Sequence, residues 1–100
     1  MRLTESDRGR TVEVEAGAVV TVLLRENPST GYRWTVDMAG DLEQITDRAN
    51  PGEAMGGAGT RELQFRAAQR GTHEVHLKNW RSWEGDASVR QRWNVTIVVT

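Results

Sequence analysis

The most constraining feature of this chain is a period of two. In 18–25, AVVTVLLR, and again in 90–100, RQRWNVTIVVT, apolar residues return at every second position. Shorter runs repeat the pattern: TVEVE (11–15), YRWTV (32–36), TRELQFRA (60–67) and THEVHLKNW (72–80). Successive strand side chains point to opposite faces, so such alternation describes strands with one face in a core. The inward sets are Val20, Val22 and Leu24; Tyr32, Trp34 and Val36; Leu63 and Phe65; Val75 and Leu77; and Trp93, Val95, Ile97 and Val99. Val19 and Leu23 make the other face of 18–25 apolar as well, which predicts a central strand. Turns fall at Ala16-Gly17 and Arg70-Gly71. In DLEQITDRA (41–49), Leu42 and Ile45 stand three apart. That spacing suits a helical turn or a short strand, and the neighbouring strands favour the strand. Closely spaced short strands with almost no helical pattern predict an all-β fold, an immunoglobulin-like antiparallel β-sandwich of about seven strands.

The chain of 100 residues suffices for one domain and not two. The polar start, MRLTESDRGR, is expected to be a flexible N-terminal segment (1–10), with a single domain over 11–100. Those ten residues hold no apolar stretch of the kind an export signal needs. The expectation is a cytoplasmic protein, or one whose export signal is missing from this sequence. A net charge of -1 offers no basic footprint for nucleic acid and no polybasic patch for a membrane. With no cysteine, disulfides and thiolate metal sites are excluded. Four tryptophans are many for this length, and each needs packing or a contact to justify it. Trp34 and Trp93 fall on core faces, Trp83 falls among polar residues, and Trp80 could either end a strand or begin a loop.

Catalytic chemistry is hard to assemble. His73 and His76 lie three apart in one strand, hence on opposite faces, and cannot share a metal. Ser29 and Ser82 have no evident histidine and carboxylate beside them in the sequence. MGGAG (55–59) lacks the Lys-Ser/Thr that completes a phosphate loop. Asn94-Val95-Thr96 fits a glycosylation sequon but sits in mid-strand, and the acidic residues show no calcium-loop spacing. The expectation is a protein that is not an enzyme and needs no cofactor or metal.

What remains is the loops. Those at 26–31, 50–59 and 81–89 follow the second, fourth and sixth strands, and alternate loops of a sandwich gather at one end. NPSTG (27–31) is richer than a simple hairpin requires. Pro28 fixes φ, Asn27 can cap the turn through its side chain, and Gly31 allows a positive φ. Ser29 and Thr30 are small enough for a narrow cleft and carry hydroxyls. Gly56, Gly57 and Gly59 let backbone approach a partner closely. Arg81 and Trp83 are of the types that dominate interface energetics.

These motifs resemble the chagasin family, immunoglobulin-like protein inhibitors of papain-like cysteine proteases. Asn27-Pro28-Ser29-Thr30-Gly31-Tyr32 is similar to the family's Asn-Pro-Thr-Thr-Gly-Tyr/Phe, with Ser for one Thr, and Trp34 follows as it does there. Met55-Gly56-Gly57-Ala58-Gly59-Thr60, with Phe65 beyond, resembles the family's Gly-x-Gly-Gly loop, with Ala58 in the place of a glycine. Arg81-Ser82-Trp83 resembles Arg-Pro-Trp, with Ser82 in the place of proline. The resemblance spans nearly the whole domain, in order. It implies a wedge of three loops that enters a protease cleft. The first loop would lie over the catalytic Cys-His pair, and inhibition would be reversible, by occlusion. The implied protease-binding residues are Asn27, Pro28, Ser29, Thr30 and Gly31; Met55, Gly56, Gly57, Ala58 and Gly59; and Arg81, Ser82 and Trp83. The expected partner is a papain-like cysteine protease, with no nucleic acid and no membrane, and the expected state is a monomer. A rival reading is an immunoglobulin-like adhesion or assembly module with a non-protease partner, since fold alone does not select a function.

Overall fold

A computed structural model describes residues 1–50 and 59–100. The strands are β1 (Arg2–Leu3), β2 (Thr11–Val14), β3 (Val19–Glu26), β4 (Arg33–Met38), β5 (Glu43–Asn50), β6 (Gly59–Arg66), β7 (Gly71–Trp80) and β8 (Gln91–Val99). They form two four-stranded sheets, β1-β3-β6-β5 and β2-β8-β7-β4. Single turns of 3-10 helix at Glu5–Asp7, Pro28–Thr30, Ser82–Glu84 and Asp86–Ser88 are the helical elements among the described residues. The alternation is realised as read in β3, β6, β7 and β8; of the inward set read for 32–36, Trp34 is buried and Val36 partly so, while Tyr32 lies before β4 outside the core, where two arginines cover its ring. Val20, Val22, Leu24, Leu63, Phe65, Val75, Trp93 and Ile97 fill the space between the sheets with essentially no exposure, and Trp34 and Leu77 join them. Burying a large apolar side chain is worth about 1.5–3 kcal/mol, so these faces are what holds the sandwich shut.

Two features depart from the expectations, and one ambiguous stretch takes its favoured form. Each sheet is mixed, because β1 runs parallel to β3 and β2 parallel to β8. Hairpins fix antiparallel order only between neighbours in sequence, and these two pairs are joined by no hairpin. Within the first ten residues, expected to be flexible, Arg2–Leu3 pair with β3 and Glu5–Asp7 form a 3-10 turn. Leu3, set among polar neighbours, is buried against the core, and Trp93 Nε1 donates to the Thr4 carbonyl at 3.0 Å. A two-residue strand is too short to show a period, which is why the sequence pattern missed it. The ambiguous 41–49 stretch forms β5 (Glu43–Asn50), the strand that its neighbours favoured, with Leu42 buried just before it. A register shift between Gln44 and Thr46 leaves Ile45 at the irregularity and 38% exposed.

The registers place the loops. Glu26 pairs with Gly59 and Asn50 with Thr60, so β3 ends where β5 ends and β6 begins. Arg33 pairs with Trp80 and Asn79 with Gln91, so β4 and β8 begin where β7 ends. The connection 27–32 joins the two sheets at this edge. The three connections 27–32, 51–58 and 81–90 therefore leave from one end of the sandwich, as the alternation of loops predicted.

Candidate functional site

Asn27 organises the first loop. Its Oδ1 accepts from the Ser29 N–H (3.1 Å) and the Ser29 hydroxyl (2.7 Å). The Thr30 hydroxyl donates to the Asn27 carbonyl at 2.9 Å. Both loop hydroxyls are thus engaged inside the loop rather than held out for a partner. Pro28 opens the 3-10 turn, and Gly31 takes φ +78, which turns the chain back towards β4. L residues with a Cβ are sterically strained at such a φ, so the glycine is required there.

The third loop is folded on itself and then onto the first. The Ser88 hydroxyl accepts from the Arg81 N–H at 3.0 Å and lies 2.7 Å from the Gly85 carbonyl. The Arg90 N–H donates to the Asn79 carbonyl and closes the loop base. Arg81 then reaches across: its Nε and Nη2 both donate to the Thr30 carbonyl, at 3.0 and 2.9 Å, while Nη1 contacts Glu84 at 3.1 Å. The same guanidinium lies 4.5 Å from the Tyr32 ring centroid, and that of Arg90 lies 4.0 Å from it. Cation–π contacts of this kind add roughly 0.5–1 kcal/mol each at partly exposed sites. Trp83 stands 71% exposed, with its ring edge against Gly31, where a Cβ would come within 2.7 Å of Cη2. Among the described residues it is the most exposed of the large apolar side chains.

Beneath the first loop the core changes character. Glu26, 4% exposed, takes the inward position that continues Val20, Val22 and Leu24. Its Oε1 accepts from the Trp34 N–H at 2.8 Å, and Arg61 Nη2 approaches its Oε2 at 2.8 Å. Arg61 Nη1 also reaches Asp47 at 3.0 Å. Burial by itself would lower the Arg61 pKa, but the hydrogen bonds and charge of Glu26, then of Asp47, outweigh it and hold the pKa above the ordinary arginine value. A cavity of about 540 Å³ lies alongside, lined by Gly31, Trp34, Asp47, Arg61, Trp80 and Trp83 among others.

Of the residues named from sequence, the structure brings Asn27 to Gly31 and Arg81 to Trp83 into one contiguous surface. Met55, Gly56, Gly57 and Ala58 lie outside the described residues. Gly59 opens β6, is buried, and pairs with Glu26. Trp80 belongs to β7, where its Nε1 donates to Thr35 and Lys78 lies 3.8 Å from its ring centroid. Sequence reading missed Glu26, Arg61, Asp47 and Ser88. The first two could have been found, since opposite charges stand at inward positions of two strands whose other inward residues are apolar.

Residues 13–97 match the family described as chagasin family peptidase inhibitor I42. The chain belongs to that family. Amoebiasin-2 of Entamoeba histolytica is 33% identical over 87 residues, covering 82% of this chain and 71% of that protein. Chagasin of Trypanosoma cruzi is 27% identical over 103 residues, covering 94% and 93%. Among solved structures, a cysteine protease inhibitor from Entamoeba histolytica superposes with a TM-score of 0.85 at 26% identity, over 99% of this chain and 93% of that one.

Proposed function

We propose that this protein is a reversible, occluding inhibitor of papain-like cysteine proteases, and that its contact surface is the loop end, with Asn27 to Gly31, Met55 to Gly59 and Arg81 to Trp83 as the contact residues. Membership of a peptidase-inhibitor family supports the activity and leaves the adhesion-module reading without support. The observation that carries the choice of surface is the double hydrogen bond from Arg81 to the Thr30 carbonyl, which binds two of the three loops into one rigid edge. A surface already ordered loses little entropy on docking, so a small wedge can bind tightly. The first loop presents no large or basic side chain of the kind that fills a specificity pocket as a substrate would. The wedge therefore blocks the cleft rather than being read and cut.

The test is a titration of papain, and of a second papain-like protease, with the purified protein. Activity should fall stoichiometrically at low enzyme concentration and return on dilution. The protein should remain uncut on a denaturing gel, and a trypsin-like serine protease should keep full activity. Undiminished activity of both cysteine proteases at large molar excess would overturn the reading.

A further inference from the structure

We propose that Glu26 and Arg61 form a positioning pair that sets the first loop relative to strands β5 and β6. The proposal rests on the reading of these loops as the contact surface. Four strands meet in the pair. Glu26 is the last residue of β3, directly before Asn27, and its carboxylate also holds the Trp34 N–H near the start of β4, on the far side of the same loop. Arg61 stands two positions into β6, just past the 51–58 connection. Its free Nη1 holds Asp47 on β5, on the near side of that connection. One guanidinium thus links β5 and β6 to a carboxylate that ties both roots of the first loop.

Stability alone is a poor reason for such an arrangement. The inward positions next to these two along their strands, Val22 and Leu24 on β3 and Leu63 and Phe65 on β6, are apolar and fully buried. Glutamine at 26, which keeps an acceptor for the Trp34 N–H, with an apolar residue at 61 would extend that packing without a buried charge. A buried ion pair loses so much solvation that a well-packed uncharged replacement is often as stable or more so. What an uncharged pair lacks is direction. Arg61 meets Glu26 through Nε, at 3.2 Å to Oε1 and 3.1 Å to Oε2, as well as through Nη2. A planar fork on a carboxylate fixes angle as well as distance. The pair sits at the point where two sheets must hold their loops in a common register.

The experiment compares Glu26→Gln/Arg61→Met with wild type for thermal stability and for inhibition of papain. The amide that replaces the carboxylate keeps an oxygen for the Trp34 N–H, and removing the cation together with its partner leaves no buried charge unpaired. The double variant should stay folded, with a melting temperature close to that of wild type. Its inhibition constant should rise about tenfold, mainly through faster dissociation, as expected when loop order is lost before docking. Arg61→Lys keeps the charge without the fork. It should raise the inhibition constant in the same direction at unchanged stability, and it decides the matter if the double variant does not fold. Wild-type inhibition by both variants, or a fall in stability with inhibition per folded molecule unchanged, would overturn the positioning role while leaving the inhibitor reading intact. Failure of the wild-type protein itself to inhibit would instead count against that reading.

Discussion

The two ends of the sandwich are closed by different means. At the far end the connections 15–18, 39–42 and 67–70 are short, and they are sealed by packing. Leu42 and Ala67 are buried there, and the buried His73 ring donates from Nε2 to the Gln69 carbonyl while accepting the Asp41 N–H at Nδ1. At the loop end the connections 27–32, 51–58 and 81–90 are longer. Bracing there is polar, through Asn27, Arg81, Ser88 and the Glu26–Arg61 pair, while the Trp83 indole faces water. A domain that turned that indole inward would gain stability and lose the proposed contact surface. The loop end uses hydrogen bonds to keep an indole outside.

The contrast is sharpest between two tryptophans. Trp34 is 2% exposed and Trp83 is 71% exposed. Trp34→Ala should empty part of the core and destabilise the protein by about 3–5 kcal/mol, measured by denaturant unfolding. Trp83→Ala should leave stability within about 0.5 kcal/mol yet cost about 2 kcal/mol in papain binding, measured as inhibition constants. The comparison breaks if Trp83→Ala unfolds the protein, or if it changes neither quantity.

These two roles were legible in the sequence to different depths. Trp34 and Trp93 declared themselves through the period of two, which needs only neighbours along the strand. Trp83 was singled out by its polar surroundings and by the motif around it. Its seat against Gly31 could not be read, because it depends on two loops meeting across the sandwich. The same limit hid the placement of Leu3, whose partners lie in β3, and the parallel course of β2 beside β8. Period fixes which way a residue faces; it does not say which distant strand it meets. Gly59, grouped with a contact loop by motif, lies in a strand because pairing with Glu26 extends further than the breaker-rich composition suggested.

Gly31 joins the two loops most closely. Gly31→Ala forces an L side chain to φ +78 and pushes a Cβ to within 2.7 Å of the Trp83 ring. It should cost about 1–2 kcal/mol of stability. It should also weaken inhibition by displacing the indole, a coupling that a double-mutant cycle with Trp83→Ala would detect as non-additivity.

The serine at the family's proline position has a local explanation. Ser82 begins a 3-10 turn, and Arg81 before it has φ -102 and ψ 109, the extended conformation that a residue preceding proline adopts. The backbone already suits proline. Ser82→Pro should therefore be accepted, with a stability gain of about 0.4–1 kcal/mol in thermal unfolding and inhibition at least as strong as before. A loss of stability would mean that the third loop is built differently from its relatives.

The smallest effect concerns acid stability at the N-terminal turn. Asp7 accepts the Thr4 N–H and pairs with Arg10, which lowers its pKa below the ordinary 3.8. A carboxyl whose folded pKa is depressed stabilises the fold above its unfolded pKa and loses that contribution as pH falls through the folded value. Wild type should thus exceed Asp7→Asn slightly in melting temperature above about pH 4, and the two should converge at lower pH.

In the proposed complex the loop end covers the protease's reacting centre. The direct measurement is the rate at which iodoacetamide alkylates the catalytic thiol of papain when the enzyme is saturated with this protein. Occlusion predicts that alkylation slows to the rate set by dissociation of the complex. Alkylation of the bound enzyme at the rate of the free enzyme would place the protein away from the catalytic cysteine and contradict the account.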